Sequence, residues 1–205
     1  MIGGYTIFEF SKRPSNNPKK FKNKPSAGRK IVAFFGDKHK QGTMAHNFVN
    51  DLASQMGSKG YEFINAGVNG DLVYNVLSRI DDIVECRPDY IIILIGTNDI
   101  LARLSKSNEL HFELKKQLPQ KPSEEWFIQN LRTLIDQLKK RTTADIAILS
   151  LPLISEDSHS VAFKSAIEYS QQIQQVAKEK EIAYLPLNER QLDFYETHRS
   201  KVHKS

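Results

Sequence analysis

Three short polar runs carry most of the chemistry this chain could perform. They read Phe35-Gly36-Asp37-Lys38-His39-Lys40-Gln41-Gly42-Thr43, Asn65-Ala66-Gly67-Val68-Asn69-Gly70-Asp71 and Gly96-Thr97-Asn98-Asp99. Each follows a short apolar run and joins glycine to carboxylate, amide or hydroxyl side chains. A glycine lets backbone approach a ligand with no Cβ in the way. Backbone N–H groups and side-chain amides are the donors that stabilise negative charge growing on a carbonyl oxygen. Taken singly, a Gly-Asp or Gly-Asn pair marks only a turn. Lys38 adds a cation, and beside such donors it suits a carboxylate or phosphate. Its amine could also form a Schiff base with a carbonyl.

The elements around these runs alternate in kind. Apolar stretches at Ile31–Phe35, Tyr61–Asn65, Tyr90–Ile95, Asp145–Leu151 and Ile182–Leu187 have the length of buried strands. Their lack of period-two alternation predicts that both faces are covered. Between them, apolar residues recur at helical spacing: Phe48, Val49, Leu52 and Met56; then Leu72, Val76, Leu77, Ile80 and Ile83. Phe127, Leu131, Leu134, Ile135 and Leu138 form a third set, with Ser123 as its N-cap and acids in its first turn. Phe163, Ile167, Ile173 and Val176 form a fourth, and a short fifth helix is expected near Asn188. Strand–helix alternation predicts a parallel sheet between helical layers. Ligands of such sheets sit beyond the carboxyl ends of the strands, where the three polar runs fall. The irregular stretch from about Leu101 to Pro122 is a candidate lid or rim.

Composition narrows the class further. A chain of 205 residues holds one domain with a sizeable core. Its single cysteine, Cys86, excludes an internal disulfide framework and a cysteine zinc cluster, and reads as a small buried hydrophobe. The net charge of +5 is unevenly spread. Of the 29 basic and 24 acidic residues, eight basic and one acidic fall in residues 1–30, which leaves the rest at −2. Residues 1–30 are therefore expected to be a basic, disordered arm, and 31–205 the domain. Nucleic-acid binding is not expected, because nothing in the folded part offers an aromatic-plus-basic platform. No run approaches a membrane span, and residues 1–10 are too short for a signal core, so a cytoplasmic location is expected. The oligomeric state is not legible.

In their order and spacing the three polar runs closely resemble the first three sequence blocks of the SGNH (GDSL) esterase and acylhydrolase family. The resemblance spans about Lys30 to Leu187. It implies a three-layer α/β/α sandwich with a five-stranded parallel sheet of flavodoxin-like topology. It implies ester hydrolysis by a serine that follows Gly-Asp, activated by the His and Asp of a C-terminal Asp-x-x-His. It further implies three oxyanion donors: the backbone N–H at the nucleophile position, here Lys38, the N–H of Gly70, and the side chain of Asn98. Asp37, Asn69, Asp71, Thr97 and Asp99 are expected to line the substrate site. A small-molecule ester or anionic ligand is the expected partner, with no cofactor and no metal.

Two departures accompany the resemblance. Position 38 is lysine, which would form a stable amide with an ester. No Asp-x-x-His exists: Asp193 and His198 are five apart, Tyr195 stands where the aspartate would precede His198, and Glu156 and His159 follow the wrong strand. The domain is thus expected to be truncated before its base. The codons GAT-AGC-ATA-ACA-CAG, with one A inserted and one C deleted, become GAT-AAG-CAT-AAA-CAG, so one compensated frameshift accounts for Lys38, His39 and Lys40 together. The sequence therefore supports a hydrolase scaffold impaired as written, or alternatively a non-catalytic anion-binding domain.

Overall fold

The computed structural model describes residues 16–22, 28–37 and 48–202. Five parallel strands, β1 (Lys30–Asp37), β2 (Tyr61–Val68), β3 (Tyr90–Leu94), β4 (Asp145–Leu149) and β5 (Ala183–Leu185), form one sheet in the order β2-β1-β3-β4-β5. That order is the flavodoxin-like one, in which the chain reverses its winding between β1 and β3. Eight α-helices connect and flank the strands: α1 (Phe48–Met56), α2 (Val73–Ser78), α3 (Asp81–Val84), α4 (Thr97–Leu101), α5 (Lys106–Lys116), α6 (Glu124–Arg141), α7 (Val161–Glu179) and α8 (Leu187–Val202). They are counted among the described residues.

The larger core lies on one face of the sheet, where Ile64, Ile91, Ile93 and Ile148 meet Val76, Leu131, Leu134 and Ile173 from the helices. Val32, Phe34 and Phe63 meet Val49 of α1 on the other face. Full burial on both faces holds along the middle of β1, whose residues 31–36 are all buried. Along β3 and β4 burial alternates instead, with Ile92, Leu94, Ala147 and Leu149 only half-buried. On that side the described core gathers around α1.

Where the sequence spacing predicts one helix over Leu72–Ile83, the structure has two, α2 and α3. The break falls at Arg79, whose backbone leaves the helical region at φ −117°, ψ 28° while its guanidinium turns toward the strand ends. The stretch expected to be irregular contains α5, capped by Ser105 Oγ accepting from Asn108 N at 3.1 Å. Its leucines face outward, so no inward apolar period announced it. The helix expected to be short near Asn188 runs for 16 residues. It is held by Gln191 Oε1 accepting from Leu153 N at 2.8 Å and by Tyr195 Oη donating to Glu156 O at 3.0 Å. Ser123 caps α6 as expected, accepting from Trp126 N at 3.1 Å.

Part of the arm packs against the domain. Asn16 O accepts from Asn65 N at 3.0 Å, Asn16 Nδ2 donates to Phe63 O at 3.2 Å, and Lys22 pairs with Asp82 and Glu85. Pro18 is buried there. Cys86 is buried as expected, and burial pushes its thiol up to about 11. Residues 1–15 and 23–27 of the arm lie outside the described residues. Among the described residues, no helix is long and apolar enough to cross a membrane.

Gly36 fixes the closest approach in the sheet. It has φ +150°, and a Cβ there would lie 2.0 Å from Leu94 O on the neighbouring strand. Gly36→Ala is expected to cost on the order of 3 kcal/mol or more. Gly57→Ala, at an open position, is expected to stay within about 0.5 kcal/mol of wild type. Urea midpoints of the two variants test the contrast.

Candidate active site

The sheet brings the three polar runs to one edge. Asp37 ends β1, Asn69–Asp71 follow β2, and Thr97–Asp99 open α4 beyond β3. Gly70, at φ +77°, presents its N–H to Asp37 Oδ1 at 2.9 Å. Asn98 Nδ2 donates to Asp71 O at 3.0 Å, one peptide beyond Gly70. The carboxylate of the first run, the glycine of the second and the amide of the third are thus joined by two hydrogen bonds. Lys38 lies outside the described residues.

The remaining expected residues divide between surface and interior. Asn69 offers its carbonyl to Lys116 Nζ at 2.7 Å. Thr97 and Asn98 are buried. Asp71 is buried and doubly paired, to Arg79 Nε at 2.8 Å and Lys116 Nζ at 3.0 Å. Asp99 is only 2% exposed and accepts from Val73 N at 3.2 Å. Burial pushes its carboxyl up to about 7, the hydrogen bonds from backbone N–H groups oppose the shift, and the charge of Asp37 adds to it. As placed, Asp71 and Asp99 hold the loops from inside.

Two residues that the sequence did not single out do most of the holding. Arg79 reaches three elements at once: Asp71 Oδ2, Ala66 O at 2.7 Å and Gly36 O at 3.0 Å, with its guanidinium carbon 4.9 Å from the Phe35 ring centroid. Lys116, from α5, closes the far side of the Gly70 loop, where a Cβ on Gly70 would meet its side chain at 3.0 Å. Asn75 secures both: Oδ1 accepts from Leu72 N, and Nδ2 donates to Lys116 O, each at 3.1 Å. Arg79 sat within an apolar helical period and Lys116 lies 45 residues from Asp71, so neither carried a local signal.

His159 is exposed in the turn after β4, its backbone N–H bound to Asp157 Oδ1 at 2.9 Å. The side chain of His198 lies outside the described residues, and Asp193 is exposed on α8. At the ends of β4 and β5 is a separate polar cluster. Ser150, fully buried, donates to Glu189 Oε2 at 2.8 Å and accepts from Asn188 N at 2.8 Å, while Tyr184 Oη donates to Glu189 Oε1. Asn188 Nδ2 adds a bond to Leu151 O at 2.9 Å. This cluster ties the start of α8 to the sheet, and its buried hydroxyl is closed to a substrate. Among the described residues, no group of three or more His, Cys, Asp or Glu could hold a metal ion.

A parallel sheet of this order, layered by helices and carrying three glycine-containing loops at its carboxyl edge, defines the SGNH-hydrolase type of α/β fold. The profile of the GDSL-like lipase/acylhydrolase family matches residues 31–203, and the chain belongs to that family. Solved structures share the fold. An acetyl xylan esterase, AlAXEase, superposes with a TM-score of 0.67 at 21% identity, over 83% of this chain and 84% of that one. Axe2, an acetylxylan esterase from Geobacillus stearothermophilus, gives 0.64 at 19%, over 85% and 83%. LAE5, an alpha/beta hydrolase enzyme from the metagenome of Lake Arreo, Spain, gives 0.60 at 20%, over 82% of each. No curated protein matches the sequence.

Two outcomes test the framework. Arg79→Ala would leave Asp71 with Lys116 alone and strip two buried carbonyls of their donor, and is expected to destabilise by about 3 kcal/mol, with Arg79→Lys regaining little because one ammonium cannot bridge three acceptors; thermal or urea denaturation reads this. Asp99 gives a pH signature. Its folded carboxyl keeps a proton that the unfolded one, at 3.8, releases, so its contribution to stability falls as pH rises from about 4 to about 7. Asp99→Asn, which keeps an acceptor for Val73 N–H, is expected to gain on wild type across that window and to level off above it. A urea midpoint difference that stays flat from about pH 4 to about pH 8 contradicts the assignment.

Proposed function

We propose that the chain is an SGNH-type acylhydrolase scaffold whose serine chemistry is impaired as the sequence stands. The observation that carries this reading is the pairing of an assembled strand-end framework with lysine at position 38. In this reading Gly70 and Asn98, joined to Asp37 and Asp71 by hydrogen bonds, would be the oxyanion donors, and position 38, next after Asp37, would be that of the nucleophile. Serine there would attack an ester and leave a labile acyl-ester; an acylated lysine would be an amide, and turnover would stop. Ser150 does not substitute for it, being buried and bound to Glu189. Esters of small acyl groups, acetylated sugars among them, are the substrate class, supported by the named activities of the structural neighbours.

Anion binding without catalysis is the other reading, and the geometry weighs against it. The N–H of Gly70 is already given to the Asp37 carboxylate, and Asp99 lies close enough to feel the charge of Asp37. An incoming carboxylate or phosphate would have to displace one anion and approach another. Titration calorimetry with acetate and with inorganic phosphate is expected to show no binding; binding that Lys38→Ala abolishes would favour this reading instead.

Hydrolysis of p-nitrophenyl acetate tests the main reading. Wild type is expected at the uncatalysed rate. Lys38→Ser alone is expected to gain less than about tenfold, because serine without a base is a weak nucleophile. Lys38→Ser with an appended family-like Asp-x-x-His segment is expected to gain on the order of 10²-fold or more. Turnover by the wild type overturns the proposal, and failure of the double repair in a folded protein shows that the pocket has been remodelled. Sequencing the locus across codon 38 tests the frameshift reading directly.

A further inference from the structure

Helix α5 is packed with its polar side inward. Its half-buried face consists of Asn108, Glu109, Phe112, Glu113 and Lys116. The protein occupies most of those polar ends: Asn108 Nδ2 donates to Leu101 O at 2.9 Å, Glu109 pairs with Lys121 at 2.8 Å, and Lys116 binds Asn69 and Asp71. The outer face carries Leu110, 55% exposed, and Leu114, 72% exposed, one turn apart, and Leu104 just before the helix is also exposed. Single exposed leucines are ordinary. Two aligned on the outside of a helix whose acids and amide face inward are not explained by the fold. Lys106 and Lys115 are exposed on the same helix, and both of its acids, Glu109 and Glu113, belong to the inner face. The exposed side thus carries the two leucines with Ser107 and His111 beside them, Lys106 one turn before Leu110 and Lys115 next to Leu114 in sequence, and no acid of the helix among its exposed residues.

We propose that this face of α5 seats on an anionic lipid surface. The leucines would enter the acyl boundary, while the lysines, whose stems are apolar and whose ammonium groups stay in water, would meet the headgroups. The same charges argue against a second copy of the chain as occupant, because a two-fold contact would set Lys106 and Lys115 against their own equivalents. The basic arm has the same sign and adds long-range attraction. Lys116, on the inner side of the same helix, binds the loop that carries Gly70. The proposal stands independently of the chemistry at Lys38, and binding through so few apolar residues is expected to be weak and reversible.

Co-sedimentation of the full chain with vesicles tests it, using phosphatidylcholine alone and phosphatidylcholine mixed with phosphatidylserine, at low and high salt. The full chain is expected to sediment with the mixed vesicles, not with the neutral ones, and to be released by salt. Leu110→Gln/Leu114→Gln, which keeps helix propensity, is expected to lower the bound fraction on the order of tenfold with an unchanged circular dichroism spectrum. Lys106→Gln/Lys115→Gln is expected to lower it severalfold, and decides the matter if the leucine variant does not fold. Equal binding by wild type and both variants would assign the attraction to the arm and overturn the proposal. So would absence of binding, or a dimer in solution that the leucine variant dissolves.

Discussion

The carboxyl edge of the sheet depends on the guanidinium of Arg79. Near the carboxyl ends of parallel strands some carbonyls are left without a ladder partner, and buried carbonyls need donors. Arg79 supplies them to β1 through Gly36 and to β2 through Ala66, and its Nε binds Asp71 in the loop that follows. Only a planar fork with several donors spans that arrangement. The charge is balanced within the same cluster, since Asp71 also takes Lys116. The break between α2 and α3 follows from this: a helical backbone at Arg79 would direct its side chain along the helix face, away from the strand ends.

From that anchor the rest of the edge is determined step by step. With Asp71 fixed, its carbonyl is available to Asn98 Nδ2, which sets the amide of the third run beside the second. With the loop fixed, Gly70 holds a positive φ and its N–H faces the end of β1, where Asp37 accepts it. Asp99 then closes the inner side by accepting from Val73 N–H at the start of α2. An amide N–H has one hydrogen, so a carbonyl oxygen that needed Gly70 would have to take it from Asp37, whereas Asn98 keeps a second hydrogen free of the Asp71 bond. The two donors are therefore unequal, and the side-chain amide is the one that could serve a ligand without breaking a bond of the resting fold.

The strands were legible because their residues, from Ile31 and Tyr90 onward, are apolar in runs too short for helices, and the glycine-containing loops mark where each run stops; their order followed only from the family resemblance. Gly70 and Asn98 were legible as loop residues at one sheet edge for the same reason, while their expected roles there came from the family resemblance. What stayed hidden depends on partners distant in sequence. Arg79 reads as one polar residue on an apolar helix until Gly36 and Ala66 are placed beside it. Lys116 belongs to a helix whose leucines point outward, and an outward apolar stripe carries no inward period. The alternation on β3 and β4 was missed because Ile92 and Ala147 are as apolar as their buried neighbours, so their exposure is set by how many helices cover that face.

The network at the carboxyl edge is also built without position 38, where the family resemblance expects serine and this chain has lysine. Every bond named at the edge, from Arg79 through Asp71, Asn98, Gly70 and Asp37, is made without the side chain of residue 38. A nucleophile is chosen for reactivity toward a substrate, and its own contribution to folding is small beside that of a half-buried guanidinium with three acceptors. Loss of a nucleophile would remove a reaction; loss of Arg79 would loosen the loop that holds Gly70 and Asp71. The two kinds of residue therefore fail independently, and placing serine at position 38 breaks none of the hydrogen bonds named at the edge, although an oxyanion that used Gly70 would still have to displace Asp37.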